Sequence, residues 1–95
     1  MLEKYKILEK AISTYGRTSQ TIMAMEEMAE LIQALSKDLR GFSKKENIIE
    51  EIADVNIMLK QIMVIHNISD REIENEMDFK ITRLNNRINE MEGKA

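Results

Sequence analysis

The chain lacks several residue types on which other protein classes depend. Its 95 residues include no cysteine, proline or tryptophan, only one histidine and three glycines, and two residues each of tyrosine and phenylalanine. Without cysteine the chain can form neither a disulfide nor a thiolate metal site, which favours a reducing compartment. No apolar run approaches the roughly 18–20 residues of a membrane span, and the charged start MLEKYKILEK is unlike a signal peptide. We therefore expect a soluble, cytoplasmic protein without membrane contact.

What the chain does contain favours helix. Hydrophobic residues make up 43% of it, and Ala, Leu, Ile, Met, Glu and Lys are abundant. We predict one all-α domain over residues 1–95, a small bundle of about four helices at 2–13, 18–39, 43–65 and 69–92. Ser43 and Ser69 are each followed three residues later by glutamate, as in a capping box, and Gly41 is the expected stop of the second helix.

The short length and short connections also bear on assembly. Successive long helices joined by short loops are expected to be antiparallel neighbours. A chain of this size buries only about 60–68% of its unfolded surface, so we expect homo-oligomerisation to complete a four-helix core. The net charge of −3 argues against stable nucleic-acid binding but leaves room for a phosphorylated small molecule held by a local basic cluster.

Two acidic clusters stand out: Glu26, Glu27 and Glu30 in one segment, and Glu51 and Asp54 in another. Within each cluster, carboxylates three residues apart lie on one side of a helix. The helical period places Glu51 where a core residue is expected, in a stripe with Ile48, Val55, Met58, Ile62 and Ile65. Because an unpaired buried carboxylate costs several kcal/mol, these acids need a cation.

The last helix shows the opposite anomaly. Lys80 falls inside its apolar stripe, which comprises Ile73, Met77, Leu84, Ile88 and Met91. Arg83 and Arg87 lie on one flank of that stripe. A lysine and two arginines so placed complement either buried carboxylates or a phosphate group.

Carboxylates from two helices can surround one or two divalent cations. Ligation by Asp and Glu alone selects Mg²⁺, or Mn²⁺, over Zn²⁺, and His66 lies about three turns beyond Asp54, too far to join the same site. Cations held in this way can bridge phosphate oxygens and activate water for in-line cleavage of a phosphoanhydride. Lys80 and Arg83 would neutralise the leaving phosphates, and Glu26 or Glu27 could orient or deprotonate the attacking water.

Glu26-Glu27-x-x-Glu30 followed by Glu51-x-x-Asp54, with Lys80-x-x-Arg83 downstream, resembles the EExxE, ExxD and basic motifs of MazG-like nucleotide pyrophosphohydrolases. The resemblance spans residues 19 to 87. It implies an all-α, Mg²⁺-dependent enzyme that cleaves a nucleoside triphosphate to a nucleoside monophosphate and pyrophosphate. It also implies a homodimer or a dimer of dimers.

The same resemblance implies a role for each matching residue. Glu27, Glu30, Glu51 and Asp54 would be the metal ligands, and Glu26 a ligand or a water-positioning residue. Lys80, Arg83 and Arg87 would bind phosphates.

The base pocket is the weakest part of the match because the chain has few aromatic residues. Asn56 is the residue we assign to base binding, with Tyr15, Phe42 and Phe79 as further candidates. Substrate identity therefore stays open.

The residues alone also allow a structural interpretation. Glu26, Glu27 and Glu30 could form a solvated helix face, and Glu51 and Asp54 could pair with Lys80 or an arginine. The chain would then be a non-enzymatic helical interaction module that pairs carboxylates with basic residues across a homodimer.

Overall fold

The computed structural model describes residues 2–93 and contains four α-helices, which confirms the all-α prediction. They are α1 (Leu2–Tyr15), α2 (Arg17–Leu39), α3 (Lys45–Ile65) and α4 (Asp70–Met91). No helix within this range is both long and apolar enough to cross a membrane.

The end of α2 follows from local backbone chemistry. Gly41 adopts a left-handed φ of 80°, which glycine tolerates because it has no Cβ. The Phe42 N–H donates to Lys37 O at 2.9 Å and the Gly41 N–H donates to Asp38 O at 3.0 Å, the pair of bonds that defines a Schellman motif. The predicted helix stop at Gly41 is confirmed.

The two predicted capping boxes have different outcomes. At Ser69 the box is present: the Glu72 N–H donates to Ser69 Oγ and the Ser69 N–H donates to Glu72 Oε2, each at 3.1 Å. The prediction at Ser43 is wrong, because the N-cap of α3 is Lys44 and it has no side-chain cap. Ser43 lies one residue before the N-cap, and its hydroxyl donates to Lys44 O at 3.3 Å.

The core is small and lies mainly between α2 and α3, with α1 packed against both. The buried hydrophobic residues among those described are Ala24, Val55 and Met58, and two polar residues, Gln20 and Gln61, are buried beside them at 4% exposure. The hydrophobic residues that α2 directs away from α3, such as Met25, Ile32 and Leu35, are exposed. A single chain therefore covers only part of its apolar surface.

Helix α4 departs from the expected arrangement. Lys60 Nζ lies 2.9 Å from Asp70 Oδ1, and the Tyr5 hydroxyl lies 3.5 Å from Asp70 Oδ2, so its first turn is held to α1 and α3. Beyond that turn, within residues 2–93, α4 packs along none of the other helices. The expectation of antiparallel neighbours is wrong for α3 and α4, because the apolar stripe of α4 finds no surface in its own chain.

Candidate metal centre

The first half of the site is Glu27, on the face of α2 that packs against α3. Residues 20, 24, 27 and 31 follow the helical spacing and share this face. Gln20 and Ala24 are buried, whereas Glu27 and Leu31 are partly buried. A carboxylate thus occupies a position that the helix otherwise fills with shielded side chains.

The second half comes from α3. Glu51 and Asp54 are partly buried, directly before the buried residues Val55 and Met58 on the same face. The sequence prediction that Glu51 points inward is confirmed. Glu51 therefore holds part of its carboxylate out of contact with water on the buried face of α3.

The two helices bring these acids together. One carboxylate oxygen from each of Glu27, Glu51 and Asp54 lies within 4.8 Å of the other two. Glu27 Oε2 and Glu51 Oε2 are also buried and have no hydrogen-bond partner. Because buried polar atoms are nearly always paired, an unpartnered oxygen on each of two neighbouring carboxylates indicates a place for a cation.

The electrostatics of the cluster reflect this crowding. Burial, and then the charges of Glu30 and Asp54, raise the pKa of Glu27 to about 7. Burial, and then the charges of Glu30, Asp54 and Glu50, also raise the pKa of Glu51. The charges of Glu30 and Asp54 thus disfavour ionisation of both Glu27 and Glu51, as expected for acids that share a site without a counter-charge.

Glu30 and Glu26 are both exposed, but the structure places them differently. Glu30 is exposed, yet its charge acts on both Glu27 and Glu51, so it lies at the margin of the cluster. Glu26 is exposed and lines an open pocket of ≈ 740 Å³ with Tyr15, Arg17 and Met23. A second pocket, of ≈ 250 Å³, is lined by Glu30, Glu51 and further polar residues: Gln33, Lys37, Ser43, Asn47 and Glu50.

The structure does not bring the basic residues of α4 to the acids of the same chain. Lys80 is exposed and its Nζ lies 3.8 Å from Glu76 Oε1, on its own helix. Arg83 lies over the ring of Phe79, 5.9 Å from its centroid, and Arg87 is exposed. Within residues 2–93 no ion pair joins α4 to the carboxylate cluster.

The candidates for base binding are scattered. Asn56 is exposed on α3 and lines neither of the two pockets. Phe42 and Phe79 are also exposed, whereas Tyr15 lines the pocket that reaches Glu26. Among these four candidates, Tyr15 is therefore the one that shares a pocket with Glu26.

Two buried amides beside the site escaped the sequence interpretation. Gln20 and Gln61 are each 4% exposed, and Gln61 Oε1 has no hydrogen-bond partner. Their spacing from Glu27 and Asp54, seven residues in each case, places them two turns away on the same faces. That spacing was the available signal, since a glutamine on an inward stripe also needs a hydrogen-bond partner.

No protein-family model, curated protein or solved structure matches this chain. The support for a function therefore lies in the geometry of the carboxylate cluster and in the motif resemblance.

Proposed function

We propose that Glu27, Glu51 and Asp54 bind Mg²⁺, with Glu30 completing the ligand set at the solvent side. The observation that carries this proposal is the pair of buried, unpartnered oxygens of Glu27 and Glu51 beside Asp54. A divalent cation would give both oxygens a partner and would offset the desolvation and the repulsion that raise the pKa values of Glu27 and Glu51.

The donor set suits this ion. It consists of carboxylate oxygens, which Mg²⁺ and Mn²⁺ prefer, and the cluster includes neither histidine nor cysteine. Mg²⁺ usually keeps several waters and substrate phosphates in its shell. The exposed position of Glu30 and the ≈ 250 Å³ pocket beside Glu51 leave room for such ligands.

The reaction that we assign to this site is hydrolysis of a nucleoside triphosphate between its α and β phosphates. Divalent cations in such sites neutralise phosphate charge and lower the pKa of bound water. Glu26, which is exposed beside the cluster, is assigned to accept the proton of the attacking water, and Glu27 to hold that water in line. The products are a nucleoside monophosphate and pyrophosphate.

The remaining roles follow from the motif resemblance. Lys80, Arg83 and Arg87 are proposed to bind the phosphates, and Asn56 to contact the base. Because Tyr15 shares a pocket with Glu26, it is a second residue for the base, through stacking on its ring. A cytoplasmic location, where nucleotides and Mg²⁺ occur together, is part of the proposal.

The experiment is a panel of ribonucleoside and deoxyribonucleoside triphosphates, incubated with purified protein and Mg²⁺. We expect release of pyrophosphate rather than orthophosphate. Glu51→Gln and Asp54→Asn should each lower kcat/KM at least about 100-fold, equivalent to about 2.7 kcal/mol of transition-state stabilisation. Glu46→Gln, a matched change in the exposed first turn of α3, should leave activity unchanged.

The competing function is a helical interaction module without catalysis. It predicts that no triphosphate is cleaved and that Mg²⁺ leaves the melting temperature unchanged. Full activity in both Glu51→Gln and Asp54→Asn would instead show that the ligand assignment is wrong.

A further inference from the structure

The ≈ 250 Å³ pocket that Glu51 lines extends from the carboxylate cluster to the turn between α2 and α3, and we call it the turn pocket. Residues 40–44 join the two helices, which pack against one another, so the chain runs in opposite directions along the two walls. Glu30 and Glu51 therefore lie at the end next to the cluster, and Lys37 and Ser43 lie at the end next to the turn. The turn pocket is thus acidic at one end and basic at the other.

Lys37 supplies the positive charge among the described residues that line the turn pocket. It follows Glu30 by seven residues on α2, which is about 10 Å along the helix axis. Helical side chains lean towards the N-terminus of their helix, so Lys37 extends back in the direction of the carboxylate cluster. Within residues 2–93 its ammonium group forms no ion pair, although Glu30, Glu50 and Glu51 line the same pocket. The ammonium group is therefore available to an anion that enters the pocket.

Ser43 and Asn47 add polar groups at the same end of the turn pocket. Ser43 caps no helix, and its hydroxyl donates to Lys44 O over a long 3.3 Å. Asn47 is exposed one turn before Glu51, between the two ends of the pocket. A hydroxyl, an amide and an ammonium group are the kinds of donor that bind phosphate oxygens. The turn end of the pocket therefore suits a phosphate group.

We propose that the turn pocket binds the terminal phosphate of the substrate through Lys37 and Ser43, with Asn47 beside them. This inference rests on the proposed function, because the acidic end of the pocket accepts phosphates only when its carboxylates hold Mg²⁺. A nucleoside triphosphate reaches the turn end, whereas a diphosphate is one phosphate shorter and stops before it. Lys37 then determines the preference for triphosphates over diphosphates.

Lys37 also has a purely structural explanation. It lies in the last turn of α2, where a cation interacts favourably with the C-terminus of the helix. That role predicts a lower melting temperature when Lys37 is replaced, but no change in the choice between nucleotides. The decisive comparison is therefore between two ligands of the same variant.

The first test does not depend on catalysis. Inorganic pyrophosphate, the product that carries the terminal phosphate, is titrated into the protein in excess Mg²⁺ and its Kd is measured by calorimetry. Lys37→Met should raise the Kd at least about tenfold, the loss expected for a hydrogen bond to a charged group. Ser43→Ala should raise it about threefold, as expected for a weaker, neutral donor, and Lys37→Arg should restore most of the affinity.

The control for this test is Lys45→Met. It removes the same charge from an exposed residue that lies just past the turn and does not line the pocket. The Kd of pyrophosphate should change less than twofold. Equal changes in Lys37→Met and Lys45→Met, or no pyrophosphate binding by the wild-type protein, would overturn the proposal.

A second cation is the competing occupant of the turn pocket, since three glutamates line it. Lys37 would then repel the occupant, so Lys37→Met should tighten Mg²⁺ binding and leave pyrophosphate binding no weaker. A Mg²⁺ titration without pyrophosphate measures this effect, and that pair of results would also overturn the proposal.

The second test measures kcat/KM for a nucleoside triphosphate and for the diphosphate of the same nucleoside. Lys37→Met should lower the triphosphate value at least about tenfold and the diphosphate value less than threefold. If the wild-type protein cleaves no diphosphate, the inhibition constant of the diphosphate takes the place of its kcat/KM. A proportional loss for both nucleotides would show that Lys37 does not contact the terminal phosphate.

The two tests separate this inference from the proposed function. Pyrophosphate binding that depends on Lys37, in a protein that cleaves no triphosphate, would refute the hydrolysis and keep the phosphate site. Cleavage of triphosphates with an unchanged preference in Lys37→Met would keep the hydrolysis and refute the phosphate site.

Discussion

Replacing Glu27 by glutamine tests the electrostatic account of the site most directly. The change keeps the size and the polar character of the side chain but removes its ability to ionise. In the absence of a divalent cation, we expect Glu27→Gln to be more stable than the wild-type protein at pH 8. The reason is that ionised Glu27 is desolvated by burial and is repelled by Glu30 and Asp54, and the described residues provide no counter-charge.

The sign and size follow from the pKa of Glu27, which is raised from 4.5 to about 7. Because the folded state holds this proton more tightly than the unfolded state, the associated stability is present below pH 4.5 and is lost as the pH rises towards 7. At about 1.36 kcal/mol for each pKa unit, and reduced because Glu27 is partly exposed, the loss is about 1–3 kcal/mol.

The assay is urea unfolding at fixed protein concentration, at pH 5 and at pH 8, with EDTA and with Mg²⁺. The wild-type protein should lose stability between pH 5 and pH 8 in EDTA, and Glu27→Gln should lose less. Mg²⁺ at 100 times its dissociation constant should stabilise the wild-type protein by about 2.7 kcal/mol at pH 8. Glu9→Gln, on the exposed side of α1, is the matched control.

One pattern of results would refute this reasoning. If Glu27→Gln were less stable than the wild-type protein at pH 8 in EDTA, with an unchanged dependence on pH, Glu27 would already have a favourable partner. Its carboxylate would then need no cation.

Three further predictions concern the scaffold. Ser69→Ala should cost about 1 kcal/mol in urea unfolding because it removes a side-chain cap, whereas Ser43→Ala should cost less than about 0.5 kcal/mol because Ser43 caps nothing. Ala24→Leu should cost about 1–3 kcal/mol, since Ala24 is 1% exposed and the added atoms have no space; a neutral effect would mean a looser core. Lys60→Met should cost less than about 1 kcal/mol at pH 7. Because Lys60 lowers the pKa of Asp70, that cost should shrink as acid protonates Asp70, and a cost that stays the same at all pH values would contradict the ion pair.

The sequence predicts the helices well because their signals are local. Gly41 and the Ser69 box act within a few residues, so the prediction does not depend on what the helices later contact. The failure at Ser43 has a physical cause, since the same four-residue pattern serves as a cap only if the serine itself is the N-cap. Here Lys44 takes that position, with φ −111° and ψ 147°.

The site is predicted less completely because it depends on contacts between helices. Helical spacing places Glu51 inward, and the structure agrees. Spacing cannot tell which surface covers a stripe, so the sequence predicts Lys80 in the stripe of α4 but does not predict that, within residues 2–93, α4 packs along none of the other helices. Gln61 was missed because an uncharged amide on an inward stripe is a weaker signal than a carboxylate, whose burial costs more.

Gly16 has a consequence for the way in which the chain could misassemble. Its φ of 94° and ψ of 155° belong to a region that is almost restricted to glycine, although a Cβ there would meet no atom within 4 Å. The Gly16 N–H donates to Ile12 O, and Gly16 O accepts from the Gln20 N–H, so Gly16 is hydrogen-bonded to both helices at the bend. A single Gly16→Ala change would therefore favour one straight rod running from Leu2 to Leu39. Helix α1 would then pack on a neighbouring molecule instead of on α2 and α3 of its own chain, which is a domain swap. A swap that repeats from molecule to molecule without forming a closed ring leads to fibres.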